Sequence, residues 1–133
     1  MIAALLAIAL AANTVTPVVT EDGIPRSGVA SWYDATRNNA WYTRGTRTRF
    51  YAAVGTFRWG DTPYQIRVCR KDKPATCVIV LVTDHCGRCA GDLKRPWNKR
   101  SRSIDLSPDA FASLRGLNFG VVRVIITELT RGK

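Results

Sequence analysis

Four cysteines and the chain's single histidine carry the densest chemistry in this sequence: Cys69, Cys77, His85, Cys86 and Cys89 fall within 21 positions. Three chemistries use such residues: disulfide crosslinking, zinc ligation and dithiol redox exchange. An even cysteine count in a small chain points to two disulfides. Four cysteines allow three pairings, and one is favoured by local pattern. Cys69 ends the alternating run Tyr64-Gln65-Ile66-Arg67-Val68, and Cys77 opens another, Val78-Ile79-Val80-Leu81-Val82. The seven residues between are polar and include Pro74, so a hairpin with a cysteine at each base is expected, giving Cys69–Cys77. Cys86 and Cys89 then pair within Cys86-Gly87-Arg88-Cys89. A zinc ribbon needs two C-x-x-C knuckles, and only one is present. A thioredoxin-like pair should open a helix, whereas Gly87, Gly91 and Pro96 make this stretch a loop. The sequence therefore predicts no metal site and no cofactor.

With one histidine, a Ser-His-Asp or Cys-His enzyme would have to use His85, which adjoins a disulfide cysteine and has no free nucleophile close in sequence. Phosphate loops, nucleophile elbows and metalloprotease helices have no counterpart here. Aromatic and basic residues remain. Trp32, Tyr33, Trp41, Tyr42, Trp59 and Trp97 offer flat faces that stack on sugar rings. Trp32 and Tyr33 alternate in an expected strand, so one of them turns inward. Trp41, Tyr42 and Trp97 lie in polar loops and are the better groove candidates. Residues 94–102 hold five basic side chains in nine positions, either to grip phosphate or carboxylate or simply as a solvated loop.

The elements that must position these residues fit one domain. The chain has 133 residues, 46% hydrophobic and 23% charged, which suits a folded globule. Its net charge of +10, from 20 Lys and Arg against 10 Asp and Glu, attracts nucleic acid, anionic lipid or acidic wall polymers. That balance argues against a calcium-storage role. Residues 2–12 are apolar but too short to span a bilayer, which takes about 20 residues. With the small-x-small Ala9-Leu10-Ala11, they read as a signal peptide over 1–12, though no basic residue precedes them. A spacer follows over 13–27, then a domain over 28–129 and a short tail, 130–133. Strands are expected at 28–34, 49–54, 64–84 as a hairpin, 103–106 and 121–129, with loops at 35–47 and 85–102. A helix is expected over about 108–116. Ser107 caps it, Pro108 suits its first position, Asp109 meets the positive dipole end, and Phe111 and Leu114 face inward. Short strands at this spacing, with one helix and no repeats, predict a mainly β, small closed barrel.

Three ordered motifs resemble a known family. Gly28-Val29-Ala30-Ser31-Trp32-Tyr33 resembles the opening strand of rare lipoprotein A (RlpA-like) domains. Cys69 to Cys77 followed by Val78-Ile79-Val80-Leu81-Val82-Thr83-Asp84-His85-Cys86 resembles the hairpin of expansins and plant expansin-like proteins. Ser103-Ile104-Asp105-Leu106-Ser107-Pro108-Asp109-Ala110-Phe111 is similar to their strand-to-helix element. The match runs over residues 28–129. It implies a six-stranded double-psi β-barrel, a shared hairpin disulfide and a polysaccharide groove; with the leader and the two disulfides, which oppose a nucleic-acid partner, the expectation is a secreted, wall-associated monomer without a stable membrane span.

The resemblance also implies roles. Members cut peptidoglycan as lytic transglycosylases, hydrolyse cellulose, or loosen wall polymers without hydrolysis. Asp105 matches the acid of the cutting members, and Asp84 matches a second groove Asp. Cleavage needs a proton donor at the glycosidic oxygen, and apolar Ile104 and Leu106 beside Asp105 favour that role. Asp105 could instead cap the helix, but Ser107 is better placed. Asp84 could merely fix the following loop, and Asp34 is either a base, as in the endoglucanase relatives, or a turn residue. Transglycosylases carry an Ala-Ala-His element, and here Ala52-Ala53-Val54 replaces its His, so either His85 substitutes or that reaction is not run. The rival class is a basic nucleic-acid-binding barrel, and a third is a structural or inhibitory wall protein.

Overall fold

The computed structural model describes residues 20–21, 23–35, 48–58, 60–89 and 102–130. The expected signal peptide, the groove aromatics Trp41, Tyr42 and Trp97, and the basic run up to residue 101 lie outside these residues. Seven strands form: β1 (Thr20–Glu21), β2 (Arg26–Trp32), β3 (Tyr51–Val54), β4 (Tyr64–Arg70), β5 (Cys77–His85), β6 (Ile104–Leu106) and β7 (Val122–Thr130). Six close into a ring, β2-β6-β3-β5-β4-β7 and back to β2, and β1 adds to the far end of β7. Closure leaves the six wall strands without free edges. The β2–β6 and β3–β5 pairings are parallel and the rest antiparallel. β6 lies between the consecutive strands β2 and β3, and β3 lies between β5 and β6. That double interleaving is the double-psi order.

Alternation along each strand fills the barrel. Ala30, Ala52, Ile66, Val68, Val80, Val82, Ile104, Leu106, Val122, Val124 and Ile126 point inward and form one buried cluster. Fully burying a Leu, Ile or Val contributes about 1.5–3 kcal/mol each, so this ring is the main source of stability. The middle of β4 shows it: Ile66 and Val68 are buried, while Gln65 before them and Arg67 between them are only partly so.

The helix α1 spans Pro108–Ala112 and is shorter than expected. Beyond Ala112 the bonding is mixed, with the N–H groups of both Leu114 and Arg115 donating to the Phe111 carbonyl at 2.9 Å, and a separate 3-10 turn covers Leu117–Phe119. Its start matches expectation. Ser107 Oγ accepts from Ala110 N–H at 3.3 Å, Pro108 opens the helix, and Phe111 and Leu114 are buried. Two boundaries also move outward: β2 begins at Arg26, and β1 lies inside the stretch expected to be a spacer, paired to Leu129 and Thr130. Both disulfides form as expected, Cys69–Cys77 across directly opposed strand positions and Cys86–Cys89 in the turn after β5. No helix among the described residues is long and apolar enough to cross a membrane.

Candidate functional site

The strand registers bring the two family-position aspartates onto one surface. Ser31 on β2 pairs with Asp105 on β6, Asp105 pairs with Ala53 on β3, and Ala53 pairs with Asp84 on β5. These four residues form one row across four strands. Their neighbours Ala30, Ile104 and Ala52 point into the barrel, so the row faces outward. Two strand spacings, about 9.5 Å, separate the Cα atoms of Asp84 and Asp105.

A bulge puts Asp84 in that row. In β5, Val82 points inward and pairs with Ala52, so strict alternation would turn Thr83 outward and Asp84 inward. The register instead shifts between Ala52 and Ala53, and Asp84 meets Ala53. One extra residue in a strand re-aims the next side chain. Thr83, the extra residue, is 6% exposed, and its hydroxyl has no hydrogen-bond partner.

The two carboxylates are held differently, Asp105 on one oxygen and Asp84 on both. Ser31 Oγ donates to Asp105 Oδ1, and Arg102 Nη1 lies 3.7 Å from the same oxygen. Among the described residues, Asp105 Oδ2 meets only Cys86 Sγ, at 3.9 Å, and a disulfide sulfur has no proton to give. Oδ2 is thus the less engaged of the two oxygens. Asp84 is 7% exposed; its Oδ1 accepts from the His85 backbone N–H at 2.8 Å and its Oδ2 from Tyr33 Oη at 3.1 Å. The first of these bonds fixes the start of the following turn, the structural role also open to Asp84 from sequence.

Tyrosines fill the space behind the aspartates. Tyr33 stacks edge-on against Tyr51 with ring centroids 5.7 Å apart, and Tyr51 Oη accepts from Ala35 N–H at 3.0 Å. Burial pushes the Tyr51 hydroxyl above its usual range, and the negative charges of Asp34, Asp109 and Asp84 push it further, against the opposing effect of the Ala35 bond. Asp34, half-buried, therefore shares Tyr51 as a neighbour with Asp84. Of the two alternating aromatics, Tyr33 is the one enclosed. Trp32 remains 37% exposed, with its Nε1 donating to the Leu117 carbonyl at 3.0 Å.

His85 is the last residue of β5 rather than a loop residue, and it pairs with Val54 at the end of β3. Its Nδ1 lies 2.9 Å from the Phe57 carbonyl and 3.2 Å from Arg58 Nη1. The carbonyl can only accept, so Nδ1 carries the proton and the Arg58 approach is a contact between two donors. Arg58 Nη1 is satisfied elsewhere, by the Gly55 carbonyl at 2.6 Å.

The second disulfide borders the site. Cys86 N–H donates to the Val54 carbonyl at 3.0 Å, and Cys89 bridges to Arg102, so the crosslinked turn ties the end of β5 to the chain entering β6. Sequence reasoning missed Ser31, Tyr51 and Arg102 as site residues. Ser31 lay inside the opening-strand motif, and Arg102 closed the basic run, but only the parallel pairing of β2 with β6 gives them a common target. A scan against protein-family models finds no match, and no curated protein matches the chain.

Proposed function

We propose that this protein acts outside the cytoplasm on cell-wall polysaccharide, as RlpA-like and expansin-like double-psi barrels do, loosening or cleaving glycan strands with Asp105 as the acid. The observation that carries this reading is the outward row Ser31-Asp105-Ala53-Asp84, in which two carboxylates on separate strands share one face. Asp105 Oδ2 presents a proton to a glycosidic oxygen, while Ser31 and Arg102 hold Oδ1 still. Asp84, fixed by Tyr33, and Asp34, close to Tyr51, supply negative charge against the oxocarbenium-like centre that develops as the bond breaks. Exposed Trp32 offers a stacking face for a sugar ring. Two disulfides are compatible with an oxidising, extracytoplasmic setting.

Loosening without cleavage is the second reading. It is favoured by Val54, which neither bonds to substrate nor moves protons, and by His85 Nδ1 being committed to Phe57. Incubation with purified peptidoglycan and with cellulose, followed by mass spectrometry of soluble products, separates the readings. Anhydro-sugar ends mean transglycosylase chemistry, reducing ends mean hydrolysis, and wall extension without product means loosening. Wild-type protein that neither binds, extends nor cuts either polymer contradicts the proposal.

A further inference from the structure

Away from the aspartate row, the seam of β2, β7 and β4 carries a groove of about 450 Å³. Its floor is apolar, formed by Val29, Val121 and Val122, and its rim holds Arg70, Lys71, Arg115 and Arg123 against the single carboxylate of Asp72. Four cations facing one anion above an apolar floor attract anions more strongly than the same charges scattered in water.

Two of the guanidinium groups are positioned in advance. Arg70 is bound by both oxygens of Asp72, at 2.9 and 2.7 Å, and reaches the Leu114 carbonyl at 3.3 Å. Arg115 lies over the Phe119 ring, 3.7 Å from its centroid. Asp72 is thereby occupied by Arg70, and among the described residues neither Lys71 nor Arg115 is paired with a carboxylate. One strand, β2, links the groove to the aspartate row. Val29 in its floor and Ser31 beside Asp105 lie two residues apart on the outer face of β2, about 6.7 Å along the strand.

We infer that this groove binds an anionic polymer through successive phosphate or carboxylate groups, with Lys71 and Arg115 as the principal contacts, and feeds that polymer toward Asp105. The inference rests on the wall-glycan reading for the polymer's identity, but the binding site stands on its own geometry. Nucleic acid is the rival occupant, because Phe119 beside Arg115 is 53% exposed and offers a base one ring, and the oligonucleotide arm of the test separates the two.

The test measures equilibrium binding of the full chain to poly(glycerol phosphate), to polygalacturonate and to a neutral glucan, by calorimetry at two salt concentrations. Binding to either anionic polymer, weakened by salt and absent for the glucan, is expected, and the tighter of the two identifies the anion. Lys71→Gln and Arg115→Gln should each weaken binding about fivefold, and together about twentyfold. Arg26→Gln, an exposed cation on β2 outside the groove lining, removes the same charge and should weaken it less than about twofold. Asp105→Asn should bind the polymer as the unmodified protein does, which separates failure of this inference from failure of the proposed chemistry. Equal losses from Arg26→Gln and Arg115→Gln, absence of binding to both anionic polymers, or tighter binding to a single-stranded oligonucleotide of equal charge would overturn the inference.

Discussion

Replacing Gly28 by alanine tests how closely β2 and the chain entering β6 must approach for Asp105 to sit beside Ser31. A Cβ at Gly28 would lie 2.5 Å from Ser103 Oγ and 2.8 Å from Ser103 Cβ, where ordinary contact begins at 3.4 Å. Ser103 cannot easily retreat, because its N–H donates to the Val29 carbonyl at 2.8 Å and its Oγ accepts from Val29 N–H at 3.1 Å. Overpacking of this kind costs about 1–3 kcal/mol. A lost hydrogen bond to Ser103 adds about 1 kcal/mol, and the smaller entropy of the unfolded alanine chain offsets about 0.4–1 kcal/mol. The net is about 2 kcal/mol, or a melting temperature about 8 °C lower for a domain of this size. Thermal unfolding followed by circular dichroism measures it. Ser103→Gly removes both clashing atoms, so in a double-mutant cycle the pair should couple by about 1 kcal/mol or more. A Gly28→Ala protein that melts like the unmodified chain would refute the close approach.

The two disulfides should separate stability from activity. On the chain-entropy model, losing Cys69–Cys77 as a double serine variant costs about 2.6 kcal/mol and losing Cys86–Cys89 about 2 kcal/mol; only the latter, which touches Asp105, should also lower activity on wall polymer beyond its loss of folded protein. Denaturant melts beside activity measured under fully folded conditions decide this, and equal activity losses would count against the placement of the second disulfide. The Asp72 carboxyl is held below its usual value of 3.8, first by its hydrogen bonds from Arg70. A depressed folded-state value contributes stability above the unfolded value and loses it as pH falls through the folded one. Urea melts of the unmodified protein and Asp72→Asn should therefore differ slightly at pH 6 and converge as the pH falls below the lowered Asp72 value; a gap that widens on acidification would reverse that sign.

The parts of this fold legible in sequence are the local ones. The β4–β5 hairpin announces itself by alternation in both arms and by Cys69 and Cys77 at its base, all within 22 positions of one another. The start of α1 was legible because Ser107, Pro108 and Asp109 act within a single turn. Its end was not, because no residue at 113–115 breaks a helix, and Leu114 and Arg115 share the Phe111 carbonyl there. Pairings between distant strands leave little local trace. That β2 runs parallel to β6 and β3 parallel to β5 decides that Ser31, Asp105 and Asp84 meet, and nothing in any one segment states it. The bulge at Thr83 is equally silent, since Val82-Thr83-Asp84 reads as plain alternation that would bury the aspartate. Asp105 and Asp84 were reached through their resemblance to family motifs, whereas Tyr51 and Arg102 become visible only once the strands are placed.

The central claim, that Asp105 supplies the proton or the anchoring carboxyl for work on the wall, is tested most directly by Asp105→Asn assayed on purified wall polymer beside a thermal melt. Asparagine keeps an oxygen for Ser31 to donate to and loses the ionic contact with Arg102, whose side chain is 35% exposed. The stability change should therefore be about 1 kcal/mol or less. Product release should fall by about 10²–10⁴-fold if the protein cleaves, and wall extension should disappear if it loosens, while adhesion to the polymer persists. An Asp105→Asn protein that melts near the unmodified chain and retains full activity on the wall would contradict the account and leave Asp105 a structural residue of the barrel.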